Sequence, residues 1–421
     1  MEDLVEQLNE TTKVSHQHNR VQYQTQVQQQ EETPIDTASQ TTLASSDGGF
    51  TVHNQKHTVS MALPPLEHVL PIVKDFLRSF NTALPLFHDD TLLCLIRNSY
   101  NTPHPRRDPV AWAAINIILA LAHRNNLVTS SNANLSVEYL NKAESVLSFI
   151  VLGETQLLNI QVLVGMVLLL QASPELTPSL ILIATTMRLA HKIGLHDRAA
   201  SAHLSAVNAR QRACVFWIAY ILDKDLSMRS KQPSIQLDDD VDLELPSTEA
   251  FPYQVQDGYI DQTSVGSGLI VTADGTVEMN YFAIRTQLAV IEGGVYDYLY
   301  STRSQKRSIE ERSHALETIA RALETWRASI PFEFSAFMAP GTVSPIVLQL
   351  LAVLHSTSLA CTTLLNQANA WNTSWVECIH KYAIGGILPK LPPHWEAVVD
   401  EARQLSFLLG ALPHQNQWIF W

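Results

Sequence analysis

Eleven consecutive residues, Ile160–Leu170 (IQVLVGMVLLL), hold one polar side chain, Gln161. A segment this apolar has no face to offer water, so a helix built from it must be covered on every side. It is about half the ~20 residues that span a bilayer, so the cover is protein and not lipid. Val110–His123 repeats the pattern and is apolar nearly all round. Two such helices require further, amphipathic helices packed around them. With 46% hydrophobic and 16% charged residues, the chain has the material for a well-buried body. Its 421 residues suffice for one large core or two ordinary domains.

The surrounding segments read as helices with recognisable ends. Ile72, Phe76, Leu77 and Phe80 give helical spacing over Val69–Ala83, with Pro71 in the first turn. Asp89 and Asp90 lead a helix at Thr91, and Asp108-Pro109 opens the one through Val110–His123. Val137–Leu152, Thr155–Gln171 and Ser179–Ile193 follow. His191 and Lys192 suit the last turn of the third, and Gly194 suits a left-handed cap. Asn208–Met228 is long and apolar on both broad faces, and Pro233 closes it. Residues 233–280 read as a polar loop. Tyr281–Leu299, Ser308–Ala328, Ile346–Asn369, Trp371–Ile387 and His394–Leu412 read as helices again. No period-2 strand set and no repeat is visible, so the expected fold is an all-α, multi-helix domain.

Residues 1–62 differ from the rest. They are rich in Gln, Ser, Thr and Asn, and Val21–Gln30 is mostly glutamine. Such a stretch cannot bury enough apolar surface to offset its chain entropy. The expected layout is therefore a disordered polar tail over 1–62 and a globular domain over 63–421. The tail serves either as a solvated linker or as an interaction segment. MEDLVEQLNE is acidic and lacks the apolar run of a secretory signal.

Composition also narrows the chemistry. A net charge of -13 lacks the footprint of a chain that neutralises phosphates. The four cysteines, Cys94, Cys214, Cys361 and Cys378, form no Cys-x-x-Cys pair, which argues against a local zinc site. No nucleophile elbow, phosphate-binding Gly-Lys-Ser/Thr loop, dinucleotide turn or His-Glu-x-x-His pair is present.

One ordered series of residues carries a family resemblance. It runs Arg188-Leu189-Ala190, Gly194-Leu195-His196, Arg212, Phe216-Trp217, Tyr220, Leu222-Asp223-Lys224 and Leu226-Ser227. It continues through Pro233, Ile235, Asp238, Asp240 and Asp242 to Leu245-Pro246. The stretch 184–246 resembles the core of the fungal-specific transcription factor domain, the middle homology region of zinc-cluster transcription factors. Leu84-Pro85-Leu86-Phe87-His88 is similar to the family's opening segment. Glu401-Ala402-Arg403 through Trp418-Ile419-Phe420-Trp421 is similar to its later helix and aromatic segment. The resemblance covers about 65–421.

The chain departs from the pattern at Arg210, where an acid is usual, at Ala213 and Cys214 within the arginine cluster, and at Lys231-Gln232, where Gly-Arg is usual. No six-cysteine cluster lies in the sequence.

The resemblance implies a large regulatory domain that works in the nucleus and is not an enzyme. Its partners would be the transcriptional machinery or other regulators, a small-molecule effector, or a second copy in a homodimer, and no membrane. Zinc is expected of the family but has no ligand cluster here, so no cofactor is expected. DNA would be a partner only if a zinc-cluster domain were supplied. Relatives usually continue past the position of Trp421, so the domain is expected to be shortened at its C-terminus. The motif residues are structural or regulatory positions: Arg188 or Arg212 would pair with Asp223 or an aspartate of 238–242, with Phe216, Trp217 and Tyr220 in the core. The alternative is that these helices line an effector or partner surface.

A rival chemistry starts from Asp238-Asp239-Asp240-Val241-Asp242. All-helical terpene and prenyl synthases use an Asp-Asp-x-x-Asp string to hold magnesium diphosphate. Here the string lies between Pro233 and Pro246, which places it in a loop, and no second metal motif follows.

Overall fold

The computed structural model describes residues 60–103, 106–125, 130–246, 268–370, 380–381, 384–386 and 395–412. The chain divides into Met1–Val59 and Ser60–Trp421, and the first body lies outside the described residues. The body that is described holds its polypeptide from Met61 onward. Arg107 donates to Met61 O at 2.6 Å, and Trp112 Nε1 donates to Ala62 O at 3.0 Å. The expected tail to residue 62 therefore overlaps this body by its last few residues.

Among the described residues the fold is all-α apart from one short hairpin. Helix α1 (Leu66–Arg78) stops at Ser79, whose hydroxyl donates to Asp75 O at 2.6 Å and whose backbone leaves the helical conformation, and α2 (Phe80–Ala83) follows. The single helix expected over Val69–Ala83 is thus two. α3 (Asp89–Asn101) and α4 (Pro109–Asn125) follow. The helix expected over Val137–Leu152 is also broken, into α5 (Ser130–Glu144) and α6 (Leu147–Leu152). The Ser145 hydroxyl donates back to Lys142 O at 2.6 Å at the break.

α7 (Leu157–Leu170) starts with a capping box of Gln156 and Asn159. α8 (Thr177–Lys192) and α9 (Ala206–Ser230) complete this half. The 233–280 stretch contains a 3-10 turn, Asp238–Asp240, and an antiparallel pair, β1 (Leu269–Val271) with β2 (Glu278–Asn280). Ile270 faces Met279 in this pair, and both are buried. Three-residue strands are too short to leave a period-2 signature, so the hairpin escaped the sequence pattern.

α10 (Tyr281–Val295) runs into a π-helical turn, Tyr296–Tyr300. α11 (Ile309–Ala328), α12 (Ala339–Thr342), α13 (Pro345–Ala370) and α14 (Trp395–Gly410) close the described fold. Most of Trp371–Ile387 lies outside the described residues.

The helices pack as a continuous series. α4 contacts α1, α3, α5 and α7; α7 contacts α8 and α9; α9 contacts α10; α10 contacts α11 and α13; α13 contacts α14. The two all-apolar helices sit against each other as their composition requires. Ile115, Ile117 and Ile118 of α4 and Val162, Leu163 and Val164 of α7 are fully buried. Each such side chain stabilises the fold by roughly 1.5–3 kcal/mol. Gly165 allows the close approach, because a Cβ there would lie 2.2 Å from Ile117 Cγ2.

Pro345–Ala368 is long and apolar enough to cross a membrane. Here it is a core helix, with Leu351, Ala352, Leu354 and Cys361 buried. Glu401 of α14 joins it to α11, accepting from Ser358 Oγ at 2.9 Å and from Arg327 Nη2 at 2.8 Å.

Candidate functional site

Helix α9 begins at Ser205, whose hydroxyl accepts from Asn208 N at 3.3 Å. It ends at Lys231, which takes a left-handed conformation with φ 57°. Between these ends, Tyr220, Asp223, Lys224 and Ser227 fall at i, i+3, i+4 and i+7, which is one stripe of an α-helix.

That stripe holds the segment after the helix. The Asp223 carboxylate accepts from Ile235 N at 3.0 Å and Gln236 N at 2.9 Å. Lys224 Nζ donates to Gln236 O at 2.8 Å and Ser234 Oγ at 3.1 Å, and it pairs with Asp238 Oδ1 at 2.8 Å. Tyr220 OH donates to the same oxygen at 2.8 Å, and Ser227 Oγ donates to Gln232 O. Burial pushes the Asp223 carboxyl up from its ordinary value, opposed by the two backbone N–H groups and Lys224. Burial, reinforced by Asp238, pushes the Tyr220 phenol well up, so it stays a donor.

The next link joins this strap to α8. His191 Nε2 lies 2.6 Å from Gln236 Oε1, and the His191 and His196 rings meet edge to face at 4.8 Å. Gly194 makes the turn between them with φ 69°, and a Cβ there would lie 2.5 Å from Ala200 Cβ. Asp242 N donates to His196 O at 2.9 Å, and Arg198 N donates to Asp242 O at 3.1 Å. Trp217 Nε1 donates to Glu244 O at 3.1 Å, which draws the far end of the strap back to α9.

The opening segment Leu84–His88 is held from three sides. Asn81 brackets it, donating to Phe87 O at 2.8 Å and accepting from Phe87 N at 2.9 Å. Gln161 Nε2 of α7 donates to Leu86 O at 2.7 Å. Gln211 Nε2 of α9 donates to Leu86 O at 2.8 Å and to Pro85 O at 3.2 Å. Beside this junction lies a cavity of about 350 Å³, walled by Phe87, Leu92, Leu157 and Leu204 and edged by His88, Gln211 and Arg212.

A second polar cluster lies on another face of α9, and sequence reasoning did not find it. Asp225 faces Arg285 of α10 at 3.6 Å and Arg229 at 3.7 Å, and Arg285 pairs with Glu292 at 3.3 Å. All but Arg229 are almost fully buried. Burial pushes Glu292 up to about 8 against the pull of Arg285, and it pushes Asp225 up as well. The available signal was the placing of Arg285 and Glu292 inside the apolar run of α10, where a charge needs a partner.

Several expected positions differ from their expected roles. The ion pair assigned to Arg188 or Arg212 is made by Lys224. Arg188 is exposed on α8, while Arg212 donates to Ser201 Oγ at 2.8 Å and to Ile193 O. Phe216, Trp217 and Tyr220 are buried. Asp240 is exposed in the 3-10 turn, Pro85 is buried, and Pro233 and Pro246 bracket the strap. Trp418–Trp421 lie outside the described residues.

The zinc that the resemblance implies needs clustered thiolates. Cys94 is exposed, Cys214 partly buried and Cys361 buried, each apart from the others, and among the described residues no group of three or more His, Cys, Asp or Glu could hold a metal. These residues do not fit a zinc cluster.

Comparison with known proteins follows the same lines. Residues 73–328 match the fungal specific transcription factor domain. An ABC-transporter-regulating transcription factor of Aspergillus oryzae is 36% identical over 373 residues, covering 85% of this chain and 40% of the relative. One of the same name from Aspergillus fumigatus is 35% identical over 334 residues, covering 77% and 35%. The fusaridione A cluster transcription factor of Fusarium heterosporum is 28% identical over 274 residues, covering 64% and 49%. The chain thus spans less than half the length of each of these relatives. No solved structure matches it. The opening segment, the α8 turn and the α9 stripe with its strap all fall within residues 73–328, and the chain belongs to the fungal specific transcription factor domain family.

Proposed function

We propose that this chain is the helical regulatory portion of a nuclear transcription regulator and is not an enzyme. The observation that carries the reading is the α9 stripe: Tyr220, Asp223, Lys224 and Ser227 hold residues 232–238 in a fixed shape. These polar groups are spent on holding the chain. The relatives' names support the regulatory class. Partners are the transcriptional machinery or other regulators, with a homodimer as one arrangement. With a net charge of -13, DNA contact would come through a zinc-cluster region and not through this surface. The two Aspergillus relatives point to ABC-transporter genes as the target class.

The magnesium reading of Asp238–Asp242 is set aside on geometry. Asp238 is engaged by Lys224 and Tyr220, and Asp238–Asp240 form a 3-10 turn that does not align carboxylates along a helix face.

The test is a reporter driven by this chain fused to an unrelated DNA-binding domain. The fusion should change reporter output, and Lys224→Met should reduce that change while the protein still accumulates. A fusion indistinguishable from the DNA-binding domain alone would overturn the proposal.

A further inference from the structure

Helix α14 presents an open apolar face. Val398, Leu405 and Leu408 are buried, and the helix packs on α13. Phe407 lies off that buried stripe and is 54% exposed. Arg403, Gln404 and Gly410, at i−4, i−3 and i+3, share its side of the helix and are exposed as well. The Phe407 ring stacks on Phe337 with 5.7 Å between centroids, and Phe337 is 58% exposed. The turn before α12 sets Phe337 in place, with Ala339 N donating to Ser335 O at 2.9 Å. Two stacked phenylalanines, each more than half exposed, form a patch that calls for cover.

The chain that follows α14 has matching chemistry. Residues 413–421 lie outside the described residues and read PHQNQWIFW. They hold no Asp, Glu, Lys or Arg, and Trp418, Ile419, Phe420 and Trp421 are four large apolar side chains in succession. Such a run suits water as poorly as the patch does. Length permits the two to meet. Phe407 stands five positions before Leu412, about 8 Å back along the helix, and the six residues from Leu412 to Trp418 reach up to about 20 Å. Pro413 cannot continue a helix, so the chain turns away from the α14 axis there. The segment before α14 is less well placed. It enters at Trp395, about 18 Å from Phe407, and carries Lys390.

We infer that the Phe337–Phe407 pair is a docking surface for residues 418–421 of the same chain, which fold back across it. The contact is aromatic and apolar, and it ties the turn before α12, helix α14 and the chain beyond α14 to one surface. A second copy of the chain seated on the same pair is the competing occupant, and the two differ in their dependence on protein concentration.

The test uses the full chain and three variants. The first changes the patch, Phe337→Ser with Phe407→Ser. The second changes the segment, with serine at all four positions 418–421, and the third combines them. In urea unfolding, the first two should each lower the folded-to-unfolded ratio at least about tenfold. The combined variant should lose little more than the worse of the two, because either change alone already removes the contact. Chymotrypsin should cut after Trp418 slowly in the unchanged chain and at least about tenfold faster in the patch variant. If a serine variant does not fold, Phe407→Gln alone, a change at an exposed helix position, carries the cleavage comparison. Additive losses, an unchanged ratio in the segment variant, or equal cleavage would overturn the inference. So would protection that appears only as the chain dimerises in gel filtration, which would give the patch to a second copy. None of these measurements reads transcription, so they are decided separately from the reporter assay.

Discussion

Lys224 Nζ lies 2.8 Å from Asp238 Oδ1, with the lysine side chain fully buried and the aspartate 36% exposed. The pair is unequal. Lys224 also holds Gln236 O and Ser234 Oγ, whereas Asp238 reaches water. Lys224→Met should therefore cost about 2–3 kcal/mol, below the range for a wholly buried pair because Asp238 can rehydrate. Asp238→Asn should cost about 1 kcal/mol, since the lysine keeps two acceptors. Urea unfolding of the two variants checks this, and equal losses would contradict the asymmetry.

Glu292 predicts a pH dependence. Burial raises its folded value to about 8 from the ordinary 4.5. Below the unfolded value both states hold the proton, and the contribution to stability is fully present. As pH rises past about 4.5, only the unfolded state releases the proton, so stability falls, and the contribution is lost by about pH 8. Glu292→Gln cannot ionise and should flatten this part of the profile. Melting temperatures of both proteins between pH 5 and 8 provide the comparison, and parallel curves would count against the assignment.

Lys231 occupies a left-handed cap at φ 57°, a conformation that costs a side chain roughly 1–2 kcal/mol relative to glycine. Lys231→Gly should stabilise the protein by about 0.5–1 kcal/mol in denaturant unfolding. A loss of stability would mean that the lysine side chain contributes a contact larger than the strain.

Gly165 gives the opposite case. Alanine is the better helix former by ~1 kcal/mol, yet its Cβ would lie 2.2 Å from Ile117 Cγ2. Gly165→Ala should destabilise by about 1–3 kcal/mol, and adding Ile117→Val should recover part of the loss. The double-mutant cycle checks this; strict additivity would show that the two residues do not meet.

Much of this was legible beforehand, and the reasons differ by element. Ile160–Leu170 and Val110–His123 announced their burial because no face of either could meet water. The strap was legible as a motif, since aspartates between two prolines read as a turn. The identity of the cation was not, because arginine outranks lysine as a carboxylate partner by its forked geometry, while Lys224 sits where the stripe needs it. The breaks at Ser79 and Ser145 escaped notice because serine hydroxyls bonding backwards leave the apolar spacing on either side unchanged. The Asp225–Arg285 contact joins residues sixty positions apart on two helices, which periodicity does not relate.

Helix α9 carries the strap on one side and the buried Asp225 charge on another. Turning it about its own axis by even one residue would strip both sets of partners at once. Motion in this domain must therefore carry α9 and residues 232–238 together as one rigid lever.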